Sequence, residues 1–191
     1  MKLLLSKYIL ECYKRGWIST RDGNLSLRES NSNYFYITPG KIKKSEVKPK
    51  DILKIRLSDN KIVENESQLT PSGEMMLHTL ILKDDLNQDK YVIHCHSPYI
   101  LAFIGLLKND RELSEIKTIF PEIPDFIKIG KNVSYIKART SELGKKVYEN
   151  IKNNNIVALK RHGIVAIGNS FEDIIEIIEI IEYYCKIALL E

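Results

Sequence analysis

The 191-residue chain contains four histidines, His78, His94, His96 and His162, and one residue separates the middle two. In an extended strand side chains alternate between faces, so positions i and i+2 project from one side a few ångströms apart. On a strand, His94-Cys95-His96 is therefore a two-toothed ligand for a borderline metal such as zinc, with Cys95 turned the other way into the core. The same pair can equally be structural. His162 is the third candidate, in an Arg161-His162-Gly163 turn after an apolar strand, where Gly163 permits close backbone approach. Taken alone it reads as readily as a solvent-facing turn residue. Three imidazoles with a fourth position open describe a catalytic rather than a closed zinc site.

Glu74 is the candidate general base beside such a metal. An acid in the first turn of a helix is also favoured by the helix dipole alone, so both readings stand. His78 lies four residues on, on the same helical face, and either orients Glu74 or packs in the core. Gly23-Asn24 and Ser72-Gly73 offer exposed backbone N–H groups that can take phosphate oxygens. They are also ordinary turn chemistry, which the residues alone favour.

These side chains need elements to hold them. Residues 2–15 carry Leu5, Ile9 and Cys12 at helical spacing, and Gly16 is a suitable residue just past the helix end. A polar loop, Ser19 to Asn24, precedes strands expected over Leu25–Arg28 and Tyr34–Thr38. A hairpin is expected from Asp51–Leu57 and Lys61–Val63. Thr70-Pro71 reads as the cap and first position of a helix running to about Leu82. A strand over Tyr91–His96 leads through Ser97-Pro98 to an apolar helix ending near Leu107. Residues 108–139 read poorly, with one strand expected at Val133–Ile136. A helix over Ser141–Asn150 and strands at Ile156–Leu159 and Ile164–Ile167 follow. Ser170 with Asp173 three residues later forms a capping box for the last helix. The expectation is a single α/β domain over residues 1–191.

Hydrophobic residues make up 43% and charged residues 28% of the chain, ordinary values for a folded domain, and the net charge of +4 is mild. No clustered basic face with a base-reading module is evident, so nucleic acid is not an expected partner. Lys41-Ile42-Lys43-Lys44 reads as a solvated loop. The N-terminal apolar run breaks at Ser6-Lys7, and no segment approaches the roughly 18 apolar residues of a spanning helix. No membrane partner is therefore expected. Cys12, Cys95 and Cys185 are read as reduced thiols of a cytoplasmic protein.

Five segments in order carry a resemblance: Asp22-Gly23-Asn24-Leu25-Ser26-Leu27-Arg28, Ile37-Thr38-Pro39-Gly40, Pro71-Ser72-Gly73-Glu74 with His78, Val92-Ile93-His94-Cys95-His96-Ser97-Pro98, and Arg161 to Gly168. Together they resemble the class II aldolase/adducin family over nearly the whole chain. The resemblance implies a three-layer α/β/α domain with a mostly antiparallel sheet, usually a homotetramer. It implies one Zn2+ per subunit on His94, His96 and His162, with Glu74 as acid/base that can also touch the metal. Gly23, Asn24, Thr38, Gly40, Lys41, Ser72 and Gly73 fall where the family binds a sugar phosphate. The implied reaction is cleavage of a fuculose-1-phosphate-like ketose 1-phosphate to dihydroxyacetone phosphate and an aldehyde through an enediolate. Alternatives are dehydration of methylthioribulose 1-phosphate, sugar-phosphate 4-epimerisation and a non-catalytic adducin-like scaffold. Four positions depart from the pattern. Gly40-Lys41 stand where a Ser-Gly is common, Gly73 where a second serine is common, and Arg139 in what is expected to be a Pro-Gly-Thr-like turn. With the chain ending at Glu191, a tail tyrosine is not expected, and Tyr135 and Tyr99 are the candidates for a second acid.

Overall fold

The computed structural model describes residues 1–105 and 110–190. Helix α1 (Lys2–Lys14) buries Leu5, Ile9 and Cys12 along one face. It ends as its sequence predicts: Gly16 takes φ +73, its N–H donates to Tyr13 O, and the Trp17 N–H donates to Cys12 O. These are the two bonds of a glycine-terminated helix, and they turn the chain into the loop before the first strand.

Seven strands form one sheet: β1 (Asn24–Arg28), β2 (Tyr34–Ile37), β3 (Leu53–Arg56), β4 (Ile62–Glu64), β5 (Lys90–Cys95), β6 (Ile156–Leu159) and β7 (Gly163–Gly168). Their spatial order is β4-β3-β2-β1-β5-β7-β6, with every neighbouring pair antiparallel. Alternation along the strands splits the apolar residues into two cores. Leu25, Leu27, Ile93, Ile164 and Ala166 face α1, α3 (Pro98–Phe103), α4 (Glu115–Ile119) and α6 (Phe171–Ala188). Phe35, Ile37, Val92, Val157 and Val165 face α2 (Met75–Leu82) and α5 (Ser141–Ile151). The result is the expected three-layer α/β/α arrangement.

Ser170 caps α6 by accepting the Asp173 N–H at 3.0 Å, and Thr140 caps α5 by accepting the Leu143 N–H at 3.2 Å. Two expectations are corrected. Helix α2 begins at Met75 with Glu74 as its N-cap, not at Pro71. Pro71 instead pairs with Pro39 in an isolated antiparallel bridge, and Thr70 O accepts the Gly40 N–H at 2.9 Å. A residue before proline is pushed out of the helical region, and here Thr70 is used as an extended partner. Residues 133–136 form no strand; Val133 makes only an isolated parallel bridge to Leu159. The poorly read region also holds α4. The expected extension of α3 toward Leu107 lies outside the described residues.

The central strand β1 is buried along its whole length although it carries Asn24, Ser26 and Arg28. Arg28 spends all five donors on carbonyl oxygens: Leu82 at 2.7 Å, Asp85 at 2.8 Å, Glu29 at 3.0 Å, Leu86 at 3.1 Å and Gln88 at 3.2 Å. It thereby terminates α2 and binds the 83–89 loop to the sheet. Removing it leaves several carbonyls unpaired beside a void, so Arg28→Ala is expected to lower unfolding free energy by about 3 kcal/mol or more. Arg28→Lys, with three donors for five acceptors, should recover only part. Urea denaturation measures both, and an Arg28→Ala midpoint equal to the parent's would refute this role.

Candidate metal centre

Strand positions 24, 26 and 28 share a face with a repeat of roughly 6.8 Å, and helix positions 74, 78 and 82 share a face with a repeat of about 6 Å. The two spacings match, and the structure uses the match. Asn24 Nδ2 donates to Glu74 Oε2 at 2.9 Å, Ser26 Oγ meets His78 Nδ1 at 2.6 Å, and Arg28 Nε donates to Leu82 O. His78 Nε2 also bonds Asn24 Oδ1. The Asn24 amide fixes the direction: its NH2 donates to Glu74, so its oxygen accepts from His78 Nε2–H, and His78 Nδ1 accepts from Ser26. Burial, then His94, pushes the His78 imidazole down to about 3, so it is neutral. His78 is thus both a packed core residue and, through Asn24, a support for Glu74.

On β5, His94 stands in register with Asn24 on one side and Val165 on the other. Its Nδ1 donates to Ile164 O at 2.8 Å, which turns Nε2 toward Glu74 Oε2 at 3.1 Å. His96 Nε2 approaches His94 Nε2 at 3.3 Å, while its Nδ1 faces Asp22 Oδ2 at 3.4 Å. Asp22 is itself held by the backbone N–H and hydroxyl of Ser19. His162 Nε2 lies 3.2 Å from Glu74 Oε1, outside hydrogen-bond geometry, so that buried oxygen has no hydrogen-bond partner among the described residues. One ligand atom from each of His94, His96 and His162 lies within 4.8 Å of the other two. Cys95 points away into the α1/α6 core, and all three cysteines are free and buried.

The donor set fits a divalent cation. Two imidazole Nε2 atoms face each other across 3.3 Å, each with its Nδ1 placed to hold the proton against an oxygen acceptor. Such an array of converging lone pairs beside a carboxylate calls for a positive centre. The titration tendencies agree. Burial acts to lower His94, but the Glu74 carboxylate raises it above the usual value. Burial acts to raise Glu74, but His94, His162 and Asn24 hold it well below the carboxylate range. His96 is lowered to about 4 by burial and by His94, leaving it neutral as a ligand must be.

Glycines let these groups approach. A Cβ on Gly163 would lie 2.4 Å from Cys95 O and 2.6 Å from the His96 ring. Gly23 takes φ +69, and a Cβ there would meet Ile18 at 2.3 Å.

His96, His162 and Glu74 border a cavity of about 360 Å3, with His94 buried behind them. Gly23, Asn24, Gly40, Lys41, Ser72 and Gly73 all line it. Thr38 does not: it is fully buried and its Oγ1 accepts the Leu25 N–H at 3.1 Å. Tyr99 and Tyr135 do not line it either, and both side chains are exposed. Arg21, Asp22, Lys44 and Arg139 join the lining without having been singled out as site residues. The Lys41–Lys44 stretch is therefore not simply a solvated loop. Lys44 is 1% exposed, its ammonium donating to Pro39 O at 2.6 Å, whereas Lys43 faces solvent. The stretch forms a 3-10 turn over Lys44–Glu46 that tucks one lysine inward, a placement that charge count alone cannot reveal.

A sequence profile of the Class II Aldolase and Adducin N-terminal domain matches residues 4–189. An L-fuculose phosphate aldolase of Methanococcus maripaludis is 31% identical over 98% of this chain and 92% of its own. A methylthioribulose-1-phosphate dehydratase of Lachancea thermotolerans is 23% identical over 92% of this chain and 74% of its own. The crystal structure of a sugar-phosphate aldolase from Thermotoga maritima superposes with a TM-score of 0.80 at 23% identity, over 96% of this chain and 91% of its own.

Because Gly163 admits the His94 and His96 rings, Gly163→Ala should reduce bound metal at least tenfold while the protein stays folded, since displacing a ligand ring forfeits its bond. Metal analysis after dialysis, with circular dichroism as the folding control, reads this out. Full metal occupancy in the variant would contradict the packing argument.

Proposed function

The chain belongs to the class II aldolase and adducin family, and from that premise we propose that it is a zinc-dependent aldehyde-lyase acting on a ketose 1-phosphate of the fuculose 1-phosphate type. The observation that carries the proposal is a cluster of three imidazoles, two of them within 3.2 Å of the ionised, buried Glu74 carboxylate, beside a cation-lined cavity. A scaffold has no need of such a cluster, because burying a carboxylate among imidazoles costs stability unless a partner cation or a reaction uses it.

In this reading His94, His96 and His162 hold the metal. When bound, the cation supplies Lewis-acid polarisation of a ketose carbonyl and neutralises developing oxyanion charge. Glu74 moves the proton. Asn24 anchors its Oε2, and Oε1, free of any hydrogen bond among the described residues, is the atom that accepts or returns a proton at the substrate carbon. In the aldol direction that proton leaves dihydroxyacetone phosphate to form the enediolate, and in cleavage it comes back. The substrate phosphate belongs at the other wall, among Gly23, Gly40, Lys41, Ser72 and Lys44. The loops over 38–41 and 70–73 make that wall rigid, because they are clipped together by the Pro39–Pro71 bridge. The homotetramer and cytoplasmic location belong to the same reading; light scattering tests the former.

Dehydration of methylthioribulose 1-phosphate is the second reading, supported by the dehydratase relative, and it uses the same base and metal. Glu74→Gln should keep bound zinc and lose about a hundredfold or more of turnover. Wild-type protein releasing dihydroxyacetone phosphate from fuculose 1-phosphate supports the lyase; loss of water from methylthioribulose 1-phosphate would replace it with the dehydratase. Unchanged turnover in Glu74→Gln would remove Glu74 from the mechanism.

The buried lysine adds a pH dependence. Burial lowers the Lys44 ammonium to about 8, against the opposing pull of Asp22 and Glu74. Its charge is present below that value and lost as pH rises through it. KM for the sugar phosphate should therefore rise several-fold between about pH 7.5 and 9, and Lys44→Met should flatten the rise while raising KM throughout. A wild-type KM constant across that range would exclude Lys44 from binding.

A further inference from the structure

Arg139 and Gly73, two positions where the sequence departs from the family pattern, lie against each other at the mouth of the cavity. A Cβ built on Gly73 would stand 2.7 Å from Arg139 Cδ, 2.9 Å from its Nε and 3.1 Å from its Cγ. The arginine side chain therefore occupies the space that any side chain at position 73 would need. Arg139 itself takes φ +66, a left-handed conformation that side-chain-bearing residues adopt at a cost and that glycine accepts freely. Its backbone has little freedom to relax, because the next residue, Thr140, is the N-cap of α5.

We propose that Arg139 binds the substrate phosphate and sets specificity for it, taking over the place of a side chain at position 73. The inference rests on the sugar-phosphate reading of the site. Four observations support it. Arg139 lines the same cavity as Glu74 and His162. Its guanidinium is engaged in no ion pair or hydrogen bond among the described residues, so its donors are free for a ligand. Its neighbours in the lining include Lys41 and the buried Lys44, and the charged side chains there are four cations against the two acids Asp22 and Glu74. An excess of cations facing a cavity favours an anionic occupant. The residue type matches as well, since a planar fork of donors binds phosphate oxygens in pairs, which a serine hydroxyl cannot do.

The test combines phosphate binding, kinetics and stability. Inorganic phosphate is titrated calorimetrically into metal-free and zinc-loaded protein, and steady-state constants are measured on the phosphorylated ketose that the wild type turns over best. Arg139→Gly should weaken phosphate binding and raise KM about tenfold or more, with kcat within about twofold. Its Tm should be unchanged or higher, because glycine relieves the left-handed strain. Arg139→Lys should bind with intermediate affinity, keeping charge without the fork. Gly73→Ser should also weaken binding by displacing the arginine, and the combined Gly73→Ser/Arg139→Gly losses should be less than multiplicative.

Phosphate affinity equal to wild type in Arg139→Gly would overturn the inference. So would a lowered Tm with kcat falling in step, which would mark a purely structural residue. A wild type that turns over no phosphorylated ketose, yet binds phosphate in an Arg139-dependent way, would remove the aldolase reading and keep the anion site.

Discussion

The site depends on one matched spacing, that of a buried polar strand against a helix. Asn24, Ser26 and Arg28 step along β1 at nearly the interval at which Glu74, His78 and Leu82 step along the facing side of α2. Polar groups at the centre of a sheet are costly when unpaired, and each of these three meets a partner at the right height. A helix displaced by one turn would break all three contacts at once. The ladder therefore sets where α2 sits, and with it where the Glu74 carboxylate stands relative to β5.

From that constraint the imidazole cluster follows. His94 is the register partner of Asn24, so the strand that anchors the carboxylate also aligns the first imidazole with it. Its tautomer is set across the sheet by Ile164 O on β7, while His96 is steadied by Asp22 from the loop before β1. His162 arrives from the β6–β7 turn, where Arg161 takes φ +60 and Gly163 gives up its side chain to the His96 ring. Three separate stretches of chain thus converge on a point, and their convergence produces mutually raised and lowered titration of His94 and Glu74 that a cation would satisfy.

The part of the cavity wall formed by residues 40–44 and 70–73 is built on a different principle. There the backbone does the positioning: the Pro39–Pro71 bridge clips two loops together, and a Cβ on Gly40 would stand 2.9 Å from Pro71 O. Beside that frame the chain places cations of unlike character, a buried ammonium at Lys44 and, at Arg139, a guanidinium with no ion pair or hydrogen bond among the described residues. In the proposed reading the imidazoles serve the chemistry of a carbonyl and the cations the charge of a phosphate.

Much of this was legible in the residues. Alternation and 3.6-residue periodicity located most of the strands and helices, because each buries one face and the pattern of burial is written locally. Capping at Gly16 and Ser170 was equally local, since the side chain or glycine acts within four residues. The His94-x-His96 pair was visible for the same reason. What lay beyond reach depended on partners distant in sequence. Pro71 looked like a helix start because its bridge to Pro39 spans 32 positions, and Lys44 looked solvated because only the folded loop turns it inward. Val133 looked like a strand, but its neighbour was missing on one side. The sequence by itself determined the order of most secondary-structure elements along the chain and the ligand types available, because both follow from side-chain chemistry and short-range geometry. Only the tertiary structure decided that Asn24 and His78 hold Glu74, that Asp22 backs His96, and that Arg139 fills the space over Gly73, because each is a contact between segments that only packing brings within reach.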